Sequence, residues 1–151
     1  MGKINVIRVL LGGLLAGVVI NISEWFWYGF VFMKDIQDAM AKLNKPVNMG
    51  GSFVAVMVLW GFLVGILAVW VYAAVRPRFG AGAKTALRTG LMLWLLVYVQ
   101  ATISFAPMGL FPARLMLLGL PITLVEIVLA TLLGAWVYKE DAWVYKEVTV
   151  A

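Results

Sequence analysis

The chain has 151 residues, of which 64% are hydrophobic and 13% charged, and its mean hydropathy is +1.01. A water-soluble domain of this size would leave large apolar patches exposed, so the composition predicts a membrane protein. Cysteine and histidine are absent, which excludes disulfides, thiolate or imidazole metal sites and the commonest nucleophile and acid–base pairs. The net charge of +5 does not indicate nucleic-acid binding, because the Lys and Arg residues lie in short segments between apolar runs.

Four apolar stretches are long enough to cross a bilayer at about 20 residues each. They cover residues 9–33, 52–75, 89–106 and 115–138. The first stretch is interpreted as a retained span, since no small-residue cleavage site follows it. The pattern therefore predicts an all-α integral membrane protein, a four-helix bundle that forms a single domain over residues 1–151.

The connection after the first span, "KDIQDAMAKLNKPVNMGG", carries apolar residues at helical spacing between charged ones. This spacing predicts a short amphipathic helix lying on the outer membrane surface. A polar loop without a helix is the alternative. Pro46 and the pair Gly50 and Gly51 then break the chain before the second span.

Eight Lys and Arg residues lie on the side of the membrane that holds both termini, and four lie on the other. The positive-inside rule therefore predicts that both termini are cytoplasmic. The tail, residues 139–151, belongs to a repeat in which AWVYKE of residues 135–140 recurs at 142–147. Seven residues are close to two helical turns, so the repeat suits an aromatic anchor at the membrane interface; a local duplication without a role is the alternative.

The fourth stretch, "LPITLVEIVLATLLGAWVY", contains Glu126 in otherwise apolar surroundings. An ionised carboxylate near the centre of a bilayer is costly, so such a residue is a functional-site hypothesis by default. At about 1.5 Å of rise per residue, Asn21 also lies near the midplane. Glu24 and Gln100 lie roughly 4 to 5 Å further toward the outer side by the same rise.

Both glutamates fall on stripes of small residues. The stripe of the first helix runs through Gly13, Gly17, Asn21, Glu24 and Tyr28, and that of the fourth through Gly119, Thr123, Glu126, Ala130 and Gly134. Small residues let helices approach closely in lipid, so we expect the first and fourth helices to face one another across their carboxylates. The candidate intramembrane polar site is Asn21, Glu24, Gln100, Thr123 and Glu126, with Tyr28, Trp94 and Tyr98 as possible lining.

The role of this site is left with two interpretations. In the first, the glutamates keep their protons and join helices by hydrogen bonds. In the second, one acid exchanges a proton with a substrate or an ion. In either case we expect at least one of Glu24 and Glu126 to keep its proton at neutral pH, and we expect neither a metal nor a cofactor. Arg114, at the start of the fourth span, is expected to extend outward to lipid headgroups; a reach inward to Glu24 is the minor alternative.

The segments "LLGGLLAGVVINISEW" and "GLFPARLMLLG", together with the stretch around Glu126, resemble a group of small four-span proteins of the bacterial inner membrane. The resemblance covers most of residues 8–140. It implies a multi-pass fold in the bacterial plasma membrane and brings no activity with it.

The function expected from these observations is that of a small structural or accessory membrane protein in the lipid bilayer. It would form a homo-oligomer or join other membrane subunits. The alternative is a proton- or cation-coupled small-molecule transporter or channel that uses Glu126 and Glu24. An enzyme is not expected, because two acids without imidazole, thiol or metal ligands offer only carboxylate chemistry.

Overall fold

The computed structural model describes residues 4–45, 47 and 50–138. Every regular element within these residues is helical. The α-helices are α1 (Val6–Phe26), α2 (Met33–Lys42), α3 (Gly51–Phe79), α4 (Ala83–Trp94), α5 (Gln100–Phe105) and α6 (Ala113–Val137). A π-helical segment, Trp27–Val31, continues α1; a second, Leu95–Val99, joins α4 to α5; and a 3₁₀ turn, Ala106–Met108, follows α5.

Four of the resulting helices are long and apolar enough to cross a membrane, as the sequence predicts. They are Val6–Val31, Gly51–Phe79, Ala83–Met108 and Ala113–Val137. We call them the first to the fourth span. The chain thus has the helices of a multi-pass membrane protein.

Each span begins before the apolar stretch that predicts it, and the second and third spans also end after it. The third span begins at Ala83 and not at residue 89, because α4 includes the exposed Lys84 and Arg88. The second span continues through Pro77 to Phe79, where the sequence predicts an end at residue 75. A proline this close to the helix end removes only one late backbone hydrogen bond, so the helix tolerates it. Hydropathy marks the apolar core of each helix and misses its polar ends.

The bundle has two unlike ends. We call the end with the connection between the first and second spans the α2 end, and the end with the tight turn between α3 and α4 the turn end. α1 packs against both α3 and α6, while α4 packs against α6 and the last part of α3. At the turn, the Gly82 N–H donates to the Tyr72 hydroxyl at 3.1 Å and the Thr85 hydroxyl donates to the Gly80 carbonyl at 2.7 Å.

The turn-end half is closely packed through glycines. A Cβ atom placed on Gly12 of α1 would lie 2.5 Å from the carbonyl oxygen of Gly134 in α6, and one placed on Gly65 of α3 would lie 2.6 Å from the carbonyl oxygen of Gly13. The helix backbones therefore touch directly, as small residues permit in membrane helices.

The α2-end half is open. Residues 51–60 of α3 are all exposed, and so are residues 103–109, which include the end of α5. The helix α2 follows the first span, and its Asp35 carboxylate lies 3.0 Å from the guanidinium of Arg114, which begins the fourth span. Arg114 thus has a protein partner that the sequence did not predict. The position of α2 on the membrane surface stays a prediction, and the repeated tail from Lys139 onward lies outside the described residues.

Candidate functional site

The buried carboxylate of Glu126 lies where three spans meet. Its side chain projects from α6 and is 4% exposed. The hydroxyl of Tyr98, from the third span, donates to the Glu126 Oε1 atom at 3.1 Å. Ser23, from α1, lies close to this carboxylate. Each of the three spans therefore supplies one polar group to the same point in the bundle.

Glu24 of α1 lies beside this point and is half-buried. It is close enough to Glu126 for the two charges to interact, and Tyr28 and Tyr98 lie in the electrostatic range of both carboxylates. The structure thus brings together the two glutamates that the sequence placed on facing stripes. It also buries the small-residue stripe of α6 from Gly119 to Gly134 against the other helices.

A cavity of about 190 Å³ lies on the α2-end side of the bond from Tyr98 to Glu126, and neither glutamate lines it. Its walls come from the third and fourth spans, from Phe111 between them and from Tyr28 of the first span. Tyr98, Thr102 and Phe105 line one wall and Gly119 and Thr123 line the other. None of the described residues that line it is charged. Tyr98 belongs both to the cavity wall and to the Glu126 site, so it connects them.

The cavity is closed toward the turn end. There α4 lies against α6 so tightly that a Cβ atom on Gly90 would come within 3.1 Å of the Val128 Cα atom. Ile127, Ala130 and Thr131 of α6 are fully buried in this packing. Glu126 lies about one helical turn beyond the lining residue Thr123, so its carboxylate lies beyond the cavity on the side of the turn end.

The two cavity tyrosines lie on the two π-helical segments. Tyr28 belongs to Trp27–Val31 and Tyr98 to Leu95–Val99. A π-helical turn changes the direction in which the following side chains point, and such turns recur at functional sites. The segments "WYGFV" and "LLVYV" contain no proline or glycine pair that would signal this geometry, so the π-helical turns could not be predicted from the sequence.

Asn21 shares the depth of the glutamates but points elsewhere. Its Nδ2 donates to the carbonyls of Gly17, at 2.8 Å, and of Val58 in α3, at 3.3 Å. Gly61 makes room for it, since a Cβ atom there would lie 2.7 Å from that nitrogen. The predicted stripe of α1 therefore faces two different helices. Gly13, Gly17 and Asn21 face α3, and Glu24 lies beside Glu126 of α6. The prediction that Asn21 joins the carboxylates is corrected on this ground.

Gln100 and Trp94 also lie apart from the carboxylates. Gln100 is exposed, and its Nε2 donates to the Ser104 Oγ atom of its own helix at 3.0 Å. Two residues correspond to about 200° around a helix, so Gln100 and Tyr98 lie on nearly opposite faces. The indole N–H of Trp94 donates to the Leu120 carbonyl at 3.0 Å and so joins the third and fourth spans, but Trp94 itself does not line the cavity.

Ser23 is the site residue that the sequence interpretation missed. It continues a line of buried positions on α1 formed by Gly12, Ala16 and Ile20, spaced by four and then by three residues. This line faces α6, as the contact of Gly12 with Gly134 shows. These spaced residues form a second stripe on α1, parallel to the one that contains Glu24, and this stripe could have predicted the place of Ser23.

Comparison with family models, with curated proteins and with solved structures gave no match. Within the described part of the chain, no group of three or more Asp and Glu side chains comes together as a metal site would require. The chemistry of the site is therefore that of two carboxylates, neighbouring hydroxyl groups and an aromatic cavity.

Proposed function

We propose that the protein is a small proton- or cation-coupled carrier that uses the carboxylates of Glu126 and Glu24. The observation that supports this function is the buried Glu126, whose carboxylate accepts a hydrogen bond from Tyr98, a residue that lines a cavity. Ionisable residues within membrane spans almost always face the interior of the bundle, where they mark ion pathways and proton relays. A cavity beside the acid gives a ligand or an ion a place to interact with its charge.

The repulsion between the two carboxylates favours the binding of one positive charge beside them. Two negative charges so close together are strongly unfavourable in a medium of low dielectric constant. A proton or a monovalent cation would compensate one of the two charges and so remove this repulsion. Entry of a cation into the cavity would release the proton, and exit of the cation would recover it. Such an exchange is the elementary step of coupled transport.

The proposal includes an orientation. With both termini in the cytoplasm, the cavity opens toward the outer side of a bacterial inner membrane and α2 lies on its outer surface. The distribution of Lys and Arg and the resemblance to small four-span proteins support this arrangement. The ion pair of Asp35 with Arg114 would then lie at the outer membrane boundary.

A structural or accessory role is the second candidate, favoured by the open half of the bundle. Residues 51–60 of α3 contact none of the other described helices closely enough to be buried. A second copy of the chain or another membrane subunit would cover this segment. In that case the bond from Tyr98 to Glu126 would serve to hold helices together.

The two candidates are separated by Glu126→Gln, which keeps the shape of the side chain and removes its charge. Purified protein is reconstituted in vesicles, and a pH gradient is imposed in the presence of Na⁺, K⁺ or methylammonium. A carrier dissipates the gradient with at least one of these cations, and we expect Glu126→Gln to abolish this flux. Glu24→Gln should weaken it, and Gln100→Ala, outside the site, should leave it unchanged.

Oligomeric state and thermal stability of each variant are measured in the same detergent. Loss of flux with unchanged assembly supports the carrier. If Glu126→Gln instead dissociates the protein or unfolds it, or if wild-type vesicles give no flux with any cation, the carrier proposal is wrong. Dissociation would then favour the accessory role.

A further inference from the structure

We propose that the cavity binds a small primary ammonium compound with an aromatic or branched apolar body. This inference rests on the proposed function, because it names the substrate class of the same site. The ammonium group would lie at the closed end, near Tyr98 and Thr123, and the apolar body would lie toward the open end.

Three hydroxyl groups of the cavity lining offer acceptors and not donors. Tyr98 donates its proton to Glu126 at 3.1 Å, Thr102 donates to the Tyr98 carbonyl at 2.8 Å, and Thr123 donates to the Gly119 carbonyl at 2.9 Å. Each of these hydroxyls has one proton, and it is already used. A ligand therefore meets the lone pairs of these three oxygens. A group with several N–H donors fits them, while the fourth lining hydroxyl, that of Tyr28, can donate or accept.

The charges around the cavity favour a cation as well. The two carboxylates stand behind its closed end, and none of its described lining residues is charged. Arg114 directly precedes the lining residue Leu115, but its side chain is 63% exposed and pairs with Asp35. The nearest strong charges on the interior side of the cavity are therefore negative.

The remaining walls suit an apolar body. Four aromatic residues line the cavity, namely Tyr28, Tyr98, Phe105 and Phe111, and Met116 adds a polarizable side chain. Aromatic faces attract cations, and they also pack well against rings. The volume of 190 Å³ corresponds to about six water molecules at about 30 Å³ each, which limits the ligand to roughly one ring or a short branched chain.

The test compares three probes of nearly equal shape: benzylammonium, the neutral benzyl alcohol and the anionic benzoate. Binding to purified protein in detergent is measured by titration calorimetry. The variant Gly119→Leu fills the cavity, because a side chain at this position extends toward Tyr28. Titration of this variant measures the heat that each probe releases when it partitions into the micelles without binding in the cavity. Ala101→Phe, on the opposite wall, serves the same purpose if Gly119→Leu does not fold.

We expect benzylammonium to bind at least about tenfold more tightly than benzyl alcohol, since charged hydrogen bonds are the stronger ones. Glu126→Gln should reduce the affinity for benzylammonium by about tenfold and leave that for benzyl alcohol unchanged. Equal affinities for the three probes, a preference for benzoate, or binding that persists in both cavity-filling variants would overturn the proposal. So would the absence of benzylammonium binding to the wild type.

The outcomes also separate this inference from the carrier function. Proton flux with Na⁺, K⁺ or methylammonium but no benzylammonium binding would refute the ligand class and leave the carrier. Benzylammonium binding that depends on Glu126 without any proton flux would refute the carrier and leave the cavity as an ammonium site.

Discussion

The close contact between α1 and α3 makes Gly65 the most sensitive position of the bundle. A Cβ atom added by Gly65→Ala would lie 2.6 Å from the Gly13 carbonyl oxygen and 2.8 Å from the Gly17 Cα atom, and it would overlap the Gly17 nitrogen. Ordinary contact begins near 3.4 Å. The two helices would therefore have to separate by more than about 0.8 Å, because the atoms in contact belong to the backbone and cannot rotate away.

The free-energy change follows from two opposing effects. Overpacking of this kind costs about 1 to 3 kcal/mol, and the rigid backbone contact favours the upper part of that range. Alanine in a helix gains up to about 1 kcal/mol over glycine. We therefore expect Gly65→Ala to lower the free energy of unfolding by about 2 kcal/mol.

The measurement is unfolding in mixed micelles with increasing sodium dodecyl sulfate, followed by circular dichroism. Gly51→Ala is the matched control: it lies in the same helix, and nothing stands within 4 Å of its added Cβ atom. It should unfold like the wild type or slightly later. A Gly65→Ala variant as stable as the Gly51→Ala variant would refute the described contact of α1 with α3.

Three further predictions use the same unfolding assay. Tyr72→Phe removes the acceptor of the Gly82 N–H and should cost about 1 to 2 kcal/mol; no change would contradict that bond. The pair Asp35→Asn and Arg114→Gln should show a coupling energy below about 1 kcal/mol in a double-mutant cycle, because Arg114 is 63% exposed; a coupling several times larger would show that the pair is shielded from solvent. Asn21→Ala removes the link from α1 to the Val58 carbonyl and should cost about 1 kcal/mol, and a more stable variant would exclude a native bond there.

The four spans could be predicted because length and apolar character are local properties of the chain. The buried stripe of α6 was predicted for the same reason, since Gly119, Thr123 and Glu126 repeat at helical spacing on one helix. Helix ends were less accurate. Lys84 and Arg88 are polar and yet helical, so hydropathy alone placed the start of the third span too late.

Which residues belong to the site depends on which neighbouring helix each helix face contacts. Such contacts between helices are not a local property of the sequence. Asn21 and Glu24 lie three residues apart on α1, but Asn21 bonds to α3 while Glu24 lies beside α6. Gln100 was included in the predicted site because of its depth in the bilayer, but it lies about 200° around the helix from Tyr98. The pairing of Asp35 with Arg114 joins residues 79 positions apart in the chain, and no spacing rule reaches that far.

The contact with α1 holds one part of α3 in place and leaves the beginning of the helix free to tilt. The described contacts of α3 with α1 extend from Gly65 to Val58, and the helix continues 7 residues further to Gly51, about 10 Å at 1.5 Å per residue. A tilt of about 5° at Val58 moves the tip of this free segment by about 1 Å. Changes in bilayer thickness act on helix tilt, so they would act first on this segment. Glu126 lies on α6 and Glu24 on α1, so the carboxylates would keep their geometry while the free segment follows the membrane.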